Sequence, residues 1–233
     1  MAALYTPSTA VAFAKSFIKK MALDTASNPT VAYQVADLVN SLMWFAAPFY
    51  WTLGQLGNVT LTASAQDYAT PQQPSDFLYL HRCFVTDGTN QNWVTPVSQL
   101  PTTDVQVGNP SQVAYITTSG ANIGVRFWPK PAAAEARTAV LQYKRSPGII
   151  SSANFATSSA FAWPDIYYPV YQEGVLWQAF RWADDQRAGG ATVDEAGKTQ
   201  YTGTLGSFMA LLWEMRRAEK LQAEYPGQPQ QKG

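Results

Sequence analysis

A stretch of strand-like sequence lies between two helical ends, and this order constrains the fold more than any other feature. Residues 7–47 and 163–224 carry apolar side chains at helical spacing, whereas residues 57–145 alternate in short runs broken by turn residues. Each helix is amphipathic on one stripe and needs a partner to cover it. We therefore predict an α+β fold, in which a four-helix bundle formed by the N- and C-terminal parts carries an inserted antiparallel β domain.

This order predicts four segments along the chain. Residues 1–52 form the first half of the helical bundle, 53–155 the inserted β domain, and 156–225 the second half of the bundle. Residues 226–233 hold no apolar residue beyond proline, which predicts a flexible C-terminal tail.

Caps and prolines mark the predicted helix ends. Thr6 before a proline predicts the start of a first helix that runs to Leu23, and Pro48 ends a second helix. Pro169 predicts that a third helix starts near Tyr168, and Gly174 inside it predicts close backbone packing. The predicted inward stripes are Val11, Ala14, Phe17, Ile18 and Met21; Val31, Val35, Leu38, Leu42 and Phe45; Val170, Trp177 and Phe180; and Leu205, Phe208, Leu212 and Met215.

Five to seven short strands are predicted between the helical ends. Asp87-Gly88 and Ser119-Gly120 are hairpin signals, and turns this short cannot form parallel crossovers. We therefore expect an antiparallel sheet or a small sandwich. Residues 49–53 predict a buried strand, and residues 184–198 predict a loop.

No set of residues with a known catalytic spacing accompanies this fold. The chain has one histidine, His81, and one cysteine, Cys83; their side chains would share one face of a strand but lie about 7 Å apart, too far for a nucleophile pair. Metal-ligand and phosphate-loop motifs are absent from the sequence. Acidic residues with nearby tryptophans leave carbohydrate hydrolysis as a minor alternative. We expect a protein that is not an enzyme and has no cofactor or metal.

The balance of charge favours assembly over nucleic-acid recognition. Charged residues make up 14% of the chain, against about 25% in a typical domain. The sixteen basic and sixteen acidic residues cancel, which argues against strong non-specific DNA binding. Eight tryptophans and twelve tyrosines with so few charges indicate either aromatic contact surfaces or a large aromatic core under a neutral skin. We expect neither a signal peptide nor a membrane span.

A group of basic residues falls at the ends of predicted strands. Arg126, Lys130, Lys144 and Arg145 would form a basic rim of the β domain. Such a rim is either an ordinary solvated edge or a surface that touches DNA.

The chain resembles the head-to-tail adaptor proteins of short-tailed bacteriophages, the group called tail tubular protein A. The resemblance spans most of residues 25–222 and lies in the order and spacing of several segments rather than in one motif. Trp163 stands where the group leads us to expect phenylalanine. The segments are residues 31–45 running into 49–51, and then 77–82, 126–131, 142–147, 163–167 and 174–176.

This resemblance implies a structural role in the virion. Such adaptors form a ring, usually of twelve copies, that joins the portal to the tail nozzle and lines the channel for double-stranded DNA without reading its sequence. It implies synthesis in the host cytoplasm and a final place in the neck or tail. By analogy the C-terminal tail would contact the portal or a neighbouring subunit, through Tyr225, Pro226, Gln228, Gln230 and Lys232. The alternatives are another head-completion or minor virion protein, or a soluble binding module with surface aromatics, for example for glycans.

Overall fold

The structure is a computed structural model that describes residues 5–18, 29–46, 49–69, 71, 73–101, 106–118, 122–132, 137–157 and 163–224. It divides the chain into two compact units. The helical unit consists of Met1–Tyr50 and Pro147–Gly233, and the β unit consists of Trp51–Ser146. The chain is a mixed α+β protein, as predicted. The proposed segments 1–52, 53–155 and 156–225 stay a prediction.

The described residues of the helical unit form four α-helices: α1 (Pro7–Phe17), α2 (Pro29–Ala46), α3 (Tyr168–Trp182) and α4 (Gly203–Glu224). The predicted start of α1 is confirmed, since the Thr9 backbone N–H donates to the Thr6 hydroxyl at 3.2 Å. Its predicted end at Leu23 is wrong, because Ile18 has extended backbone angles and closes the helix after Phe17. Met21 lies outside the described residues.

The prediction of a four-helix bundle is not supported. Helices α1, α2 and α4 each pack mainly on α3, which is therefore the centre of the unit rather than one of four equivalent helices. The close packing predicted at Gly174 is confirmed, because a Cβ atom there would lie 2.6 Å from Val39 Cγ1 and 2.8 Å from Phe208 Cε2. This contact brings α2 and α4 against the same turn of α3.

The part of the β unit that the structure describes contains ten strands: β1 (Leu53–Gln55), β2 (Val59–Thr60), β3 (Asp67–Tyr68), β4 (Phe77–Thr86), β5 (Gln91–Pro96), β6 (Val107–Gly108), β7 (Gln112–Thr118), β8 (Asn122–Trp128), β9 (Lys130–Pro131) and β10 (Thr138–Arg145). Residues 49–53 are not the predicted strand, since Tyr50–Thr52 is a 3₁₀ turn that precedes β1. The eight-stranded sheet has the order β1-β10-β4-β5-β7-β8-β3, with β2 also paired to β10.

The sheet is mixed rather than purely antiparallel. The two predicted hairpins are confirmed as the antiparallel pairs β4–β5 and β7–β8. Strands β5 and β7, however, pair in parallel. The prediction failed here because residues 97–111 connect them, a length that permits the crossover a parallel pair needs.

One short segment curls the sheet around its core. Strand β2 pairs with β10 near one end of the sheet and β3 pairs with β8 at the other, so residues 59–68 bridge the two ends. The enclosed core consists of Leu56, Val59, Leu61, Cys83, Val85, Val94, Val113, Val125, Phe127, Ala139, Leu141 and Tyr143.

A two-stranded hairpin replaces the loop predicted at residues 184–198. After a 3₁₀ turn (Gln186–Ala188), strand β11 (Ala191–Val193) pairs with β12 (Thr199–Tyr201). The Asp194 carboxylate accepts the backbone N–H groups of Ala196 and Lys198 and so closes the turn. The glycines and charged residues of this region belong to the hairpin's base and tip, which is why they resembled a loop.

Candidate assembly surfaces

His81 and Cys83 do not form a reactive pair. The Cys83 side chain is buried in the β-unit core, and burial raises the pKa of its thiol to about 12, so the nucleophilic thiolate is disfavoured. The register of β4 against β10 shifts at His81, which breaks the alternation that predicted a shared face. Burial lowers the pKa of His81, and the positive charges of Arg82 and Lys144 lower it further. The described residues contain no group of three or more side chains arranged for a metal ion.

The four basic residues predicted as a rim lie in different surroundings. Arg126 donates from Nε and Nη2 to both carboxylate oxygens of Asp67, at 2.6 and 2.7 Å. Lys130 is half-buried, and the Arg145 Nε atom donates to Asp76 Oδ2 at 2.8 Å. Burial tends to raise the pKa of the Asp76 carboxyl, but hydrogen bonds from Arg145 and Tyr143 outweigh it and lower the pKa. Arg126 and Arg145 therefore each face a carboxylate.

Lys144 does not lie on an exposed rim. Its side chain is 1% exposed, and its Nζ atom donates to the Thr52 hydroxyl at 2.5 Å. Burial lowers the pKa of Lys144 to about 8. The sequence placed it on an exposed rim, but β1 pairs with β10 beside that position and Thr52, just before β1, accepts its hydrogen bond.

The predicted inward stripe of α2 is largely exposed. Leu38, Leu42 and Phe45 are 40%, 40% and 58% exposed; we call these three residues the α2 face. The buried stripe is offset from it and consists of Ala32, Val35, Ala36, Val39, Met43 and Trp44. The small Val39 side chain meets Gly174 of α3, which allows the two helices to approach closely.

On α1 the predicted stripe is confirmed at Val11, Ala14 and Ile18, which are buried, but not at Phe17. Helices α3 and α4 follow their predicted stripes, with Trp177 and Leu205 only half-buried. Phe17 is 44% exposed and lies edge-on to Phe13, at 5.0 Å between ring centroids. In α4, Phe208, Leu212 and Met215 are buried as predicted, while Trp213 is 61% exposed beneath the Arg216 guanidinium. In α3, Val170 and Phe180 are buried as predicted.

The outer surface of the β unit has its own aromatic contact. Trp93 on β5 is 65% exposed and packs edge-on against Phe84, the residue opposite it on β4, at 5.7 Å between ring centroids. The sequence marked this chain as rich in aromatics, but periodicity alone did not identify which aromatic side chains stay outside.

The residues predicted for the C-terminal contact, Tyr225, Pro226, Gln228, Gln230 and Lys232, lie outside the described residues. Among the residues that the structure describes, no helix is long and apolar enough to cross a membrane.

The described part of the chain exposes several large apolar side chains. Such surfaces are typical of proteins that assemble with others. A family model for the SU10 adaptor protein matches residues 18–225. The chain therefore belongs to the SU10 adaptor protein family. It is a phage adaptor-type protein and a virion component that assembles with other virion proteins, which confirms the prediction at this level. A comparison with curated proteins gives no match.

Proposed function

We propose that this chain is a head-to-tail adaptor of the tail tubular protein A type, from a short-tailed bacteriophage. Twelve copies form a ring between the portal and the tail nozzle and line the channel through which double-stranded DNA passes. The observation that carries the proposal is membership of the adaptor family over residues 18–225.

The exposed apolar side chains support this function physically. A ring subunit needs two different contact surfaces for its neighbours and further surfaces for the proteins above and below it. The α2 face, Phe17, Trp213 and Trp93 are large apolar groups in contact with solvent in the isolated chain. Interface cores are enriched in such residues and depleted in charge.

The charge balance supports a role as a conduit. Equal numbers of basic and acidic residues give the chain no net charge. Phosphate binding grows with the number of basic contacts, so a neutral wall lets DNA slide instead of holding it. Arg126 and Arg145 already face carboxylates, which weakens their pull on phosphate.

Within the ring we propose a division of labour between segments. The helical parts, residues 1–52 and 156–225, dock to the portal, and the β domain, residues 53–155, faces the nozzle. Residues 226–233 order on the portal or on a neighbouring subunit. Deleting them should leave a folded chain that assembles less well, and unchanged binding to the portal would remove the tail from this scheme.

Light scattering of the purified protein, alone and mixed with its portal, tests the proposal. An adaptor should form a large complex with the portal whose mass corresponds to about twelve added copies. A chain that does not bind the portal but binds another virion protein would instead be a head-completion or minor virion component. Retention on immobilised glycans without assembly would identify a binding module based on Trp93.

A further inference from the structure

The exposed side of α2 is unusual because it carries no charge. Thr30, Gln34 and the α2 face follow one another at helical spacing and are all exposed. The helix contains a single charged residue, Asp37, whose carboxylate accepts the Ile150 backbone N–H at 2.8 Å. The solvent side of a surface helix normally carries charged residues. This side therefore suits an apolar, uncharged partner and suits DNA poorly.

The β11–β12 hairpin has an apolar face of the same kind. Ala191 lies opposite Tyr201 and Val193 opposite Thr199, so these four side chains share one face, while Thr192 and Gln200 share the other. All six strand residues are exposed, and Val193 is 67% exposed. A lone two-stranded hairpin is at best marginally stable in water, so a partner on its apolar face would stabilise it.

The base of this hairpin is fixed by tight contacts. Gly189 and Gly203 have φ values of +70° and +61°, and a Cβ atom on Gly189 would lie 1.9 Å from the Thr202 carbonyl oxygen. The Arg187 guanidinium lies 4.3 Å from the Phe180 ring centroid and donates to the Phe17 carbonyl at 3.2 Å. The hairpin is thus held in place before any partner binds, which lowers the entropy cost of docking.

We infer that the α2 face of one copy of this chain receives the apolar face of the β11–β12 hairpin from a second copy. Both surfaces are uncharged along their length, since Asp194, Glu195 and Lys198 lie at the hairpin tip, outside the strands. They are also two different surfaces of one chain, so their contact is heterologous and can close into a ring. The inference rests on the proposed function and names the contact between neighbouring subunits.

Cysteine cross-linking between two singly substituted proteins tests this contact. Leu42→Cys and Val193→Cys are mixed, with the portal as template, and oxidised mildly. The native Cys83 is buried and its thiol stays protonated, so it contributes little background. We expect a disulfide-linked pair in the mixture and none in either protein alone. Thr192→Cys, on the opposite face of the hairpin, should give at least tenfold less product with Leu42→Cys.

The alternative outcomes are distinguishable. Leu42→Cys that cross-links to itself would indicate a symmetric contact and would overturn the inference. If assembly protects the thiol of the Leu42→Cys variant from alkylation but gives no cross-link to the hairpin, the α2 face has another occupant, such as residues 225–233 or the portal, and the inference is again overturned. Assembly with neither protection nor cross-linking would reject the contact but leave the adaptor function intact. No assembly at all would reject both.

A second measurement does not depend on disulfide geometry. Leu42→Ser and Val193→Ser should each weaken assembly about tenfold, and the double variant should be less than a hundredfold weaker because both remove the same contact. A double variant whose assembly is a full hundredfold weaker would show that the two surfaces act independently. Circular dichroism of each variant confirms that the chain is still folded.

Discussion

The β unit encloses most of its large apolar side chains, although Trp93 and a few others are exposed, whereas the helical unit leaves more of its own outside. The β-unit core lies within one curled sheet whose two ends are bridged by residues 59–68. In the helical unit, the packing of α1, α2 and α4 on a central α3 leaves Phe17, the α2 face and Trp213 exposed. The difference indicates that most of the apolar surface open to a partner lies on the helical unit.

The largest effect that would test this comparison comes from truncating one phenylalanine in each unit. Phe127 is fully buried and contacts the Tyr68 ring edge-on, so Phe127→Ala should lower the free energy of unfolding by about 3–5 kcal/mol. Phe45 is 58% exposed, so Phe45→Ala should change the free energy of unfolding by less than about 0.5 kcal/mol. Urea unfolding measures both variants.

Phe45→Ala, which should barely affect stability, should clearly affect assembly. Phe45→Ala removes part of an uncharged apolar face, so it should reduce complex formation with the portal although the chain remains folded. A Phe45→Ala chain that assembles normally, or one that unfolds as easily as Phe127→Ala, would contradict the contrast between the two units.

The next effect concerns the buried lysine of the β unit and depends on pH. The pKa of Lys144 falls from 10.5 to about 8 on folding. Between these values the unfolded chain binds one more proton at this site than the folded chain, so the stability contributed by Lys144 rises with pH. Relative to Lys144→Met, the wild type should therefore lose roughly 1–3 kcal/mol as the pH falls from 10 to below 8.

Urea unfolding of both proteins between pH 7 and 10 measures this difference. Lys198 is exposed, so Lys198→Met serves as the control for the effect that replacing any lysine has on the pH dependence of stability. A stability difference between wild type and Lys144→Met that stays constant over this range would show that Lys144 is not buried as described.

A glycine substitution in the helical unit gives a smaller effect. Gly174→Ala should lower the free energy of unfolding by about 1–3 kcal/mol, because the added methyl group overlaps Val39 and Phe208. Helix propensity alone predicts the opposite sign, a gain of about 1 kcal/mol. Gly190→Ala, where a Cβ atom meets nothing within 4 Å, is the matched control for thermal unfolding. A stabilised Gly174→Ala variant would show that α2 and α4 do not approach α3 so closely.

The smallest effect concerns the start of α1. Thr6→Ala removes the acceptor of the Thr9 N–H and should cost about 1 kcal/mol of stability. Ser16→Ala, at an exposed position of the same helix, should have almost no effect. Equal thermal midpoints for the two variants would mean that the cap contributes nothing.

The sequence predicted local features well because they depend on neighbours in the chain. Thr6 and Pro7 specify the start of α1, and Asp87-Gly88 specifies the turn between β4 and β5. Periodicity failed on α2 because that helix has two apolar stripes. The buried stripe consists largely of small residues, whereas Leu38, Leu42 and Phe45 are larger and dominated the pattern.

The other failures depend on contacts between distant parts of the chain. Lys144 is buried because the segment around Thr52 pairs beside it, which strand alternation within β10 cannot show. The parallel pairing of β5 and β7 likewise depends on the path of residues 97–111. The candidate surfaces were predicted least well, because an exposed apolar face differs from a buried one only in what covers it.

The pairing of β1 with β10 has a consequence for how this chain can change over evolution. Leu53 lies opposite Lys144, so the first and last strands of the β unit are neighbours in one sheet, close to where the chain crosses from one unit to the other. A module whose two ends lie side by side can be removed, enlarged or exchanged without stretching the chain that remains. Related adaptors can then carry different β modules on the same helical unit, and a short linker in place of residues 53–145 should leave that unit able to fold.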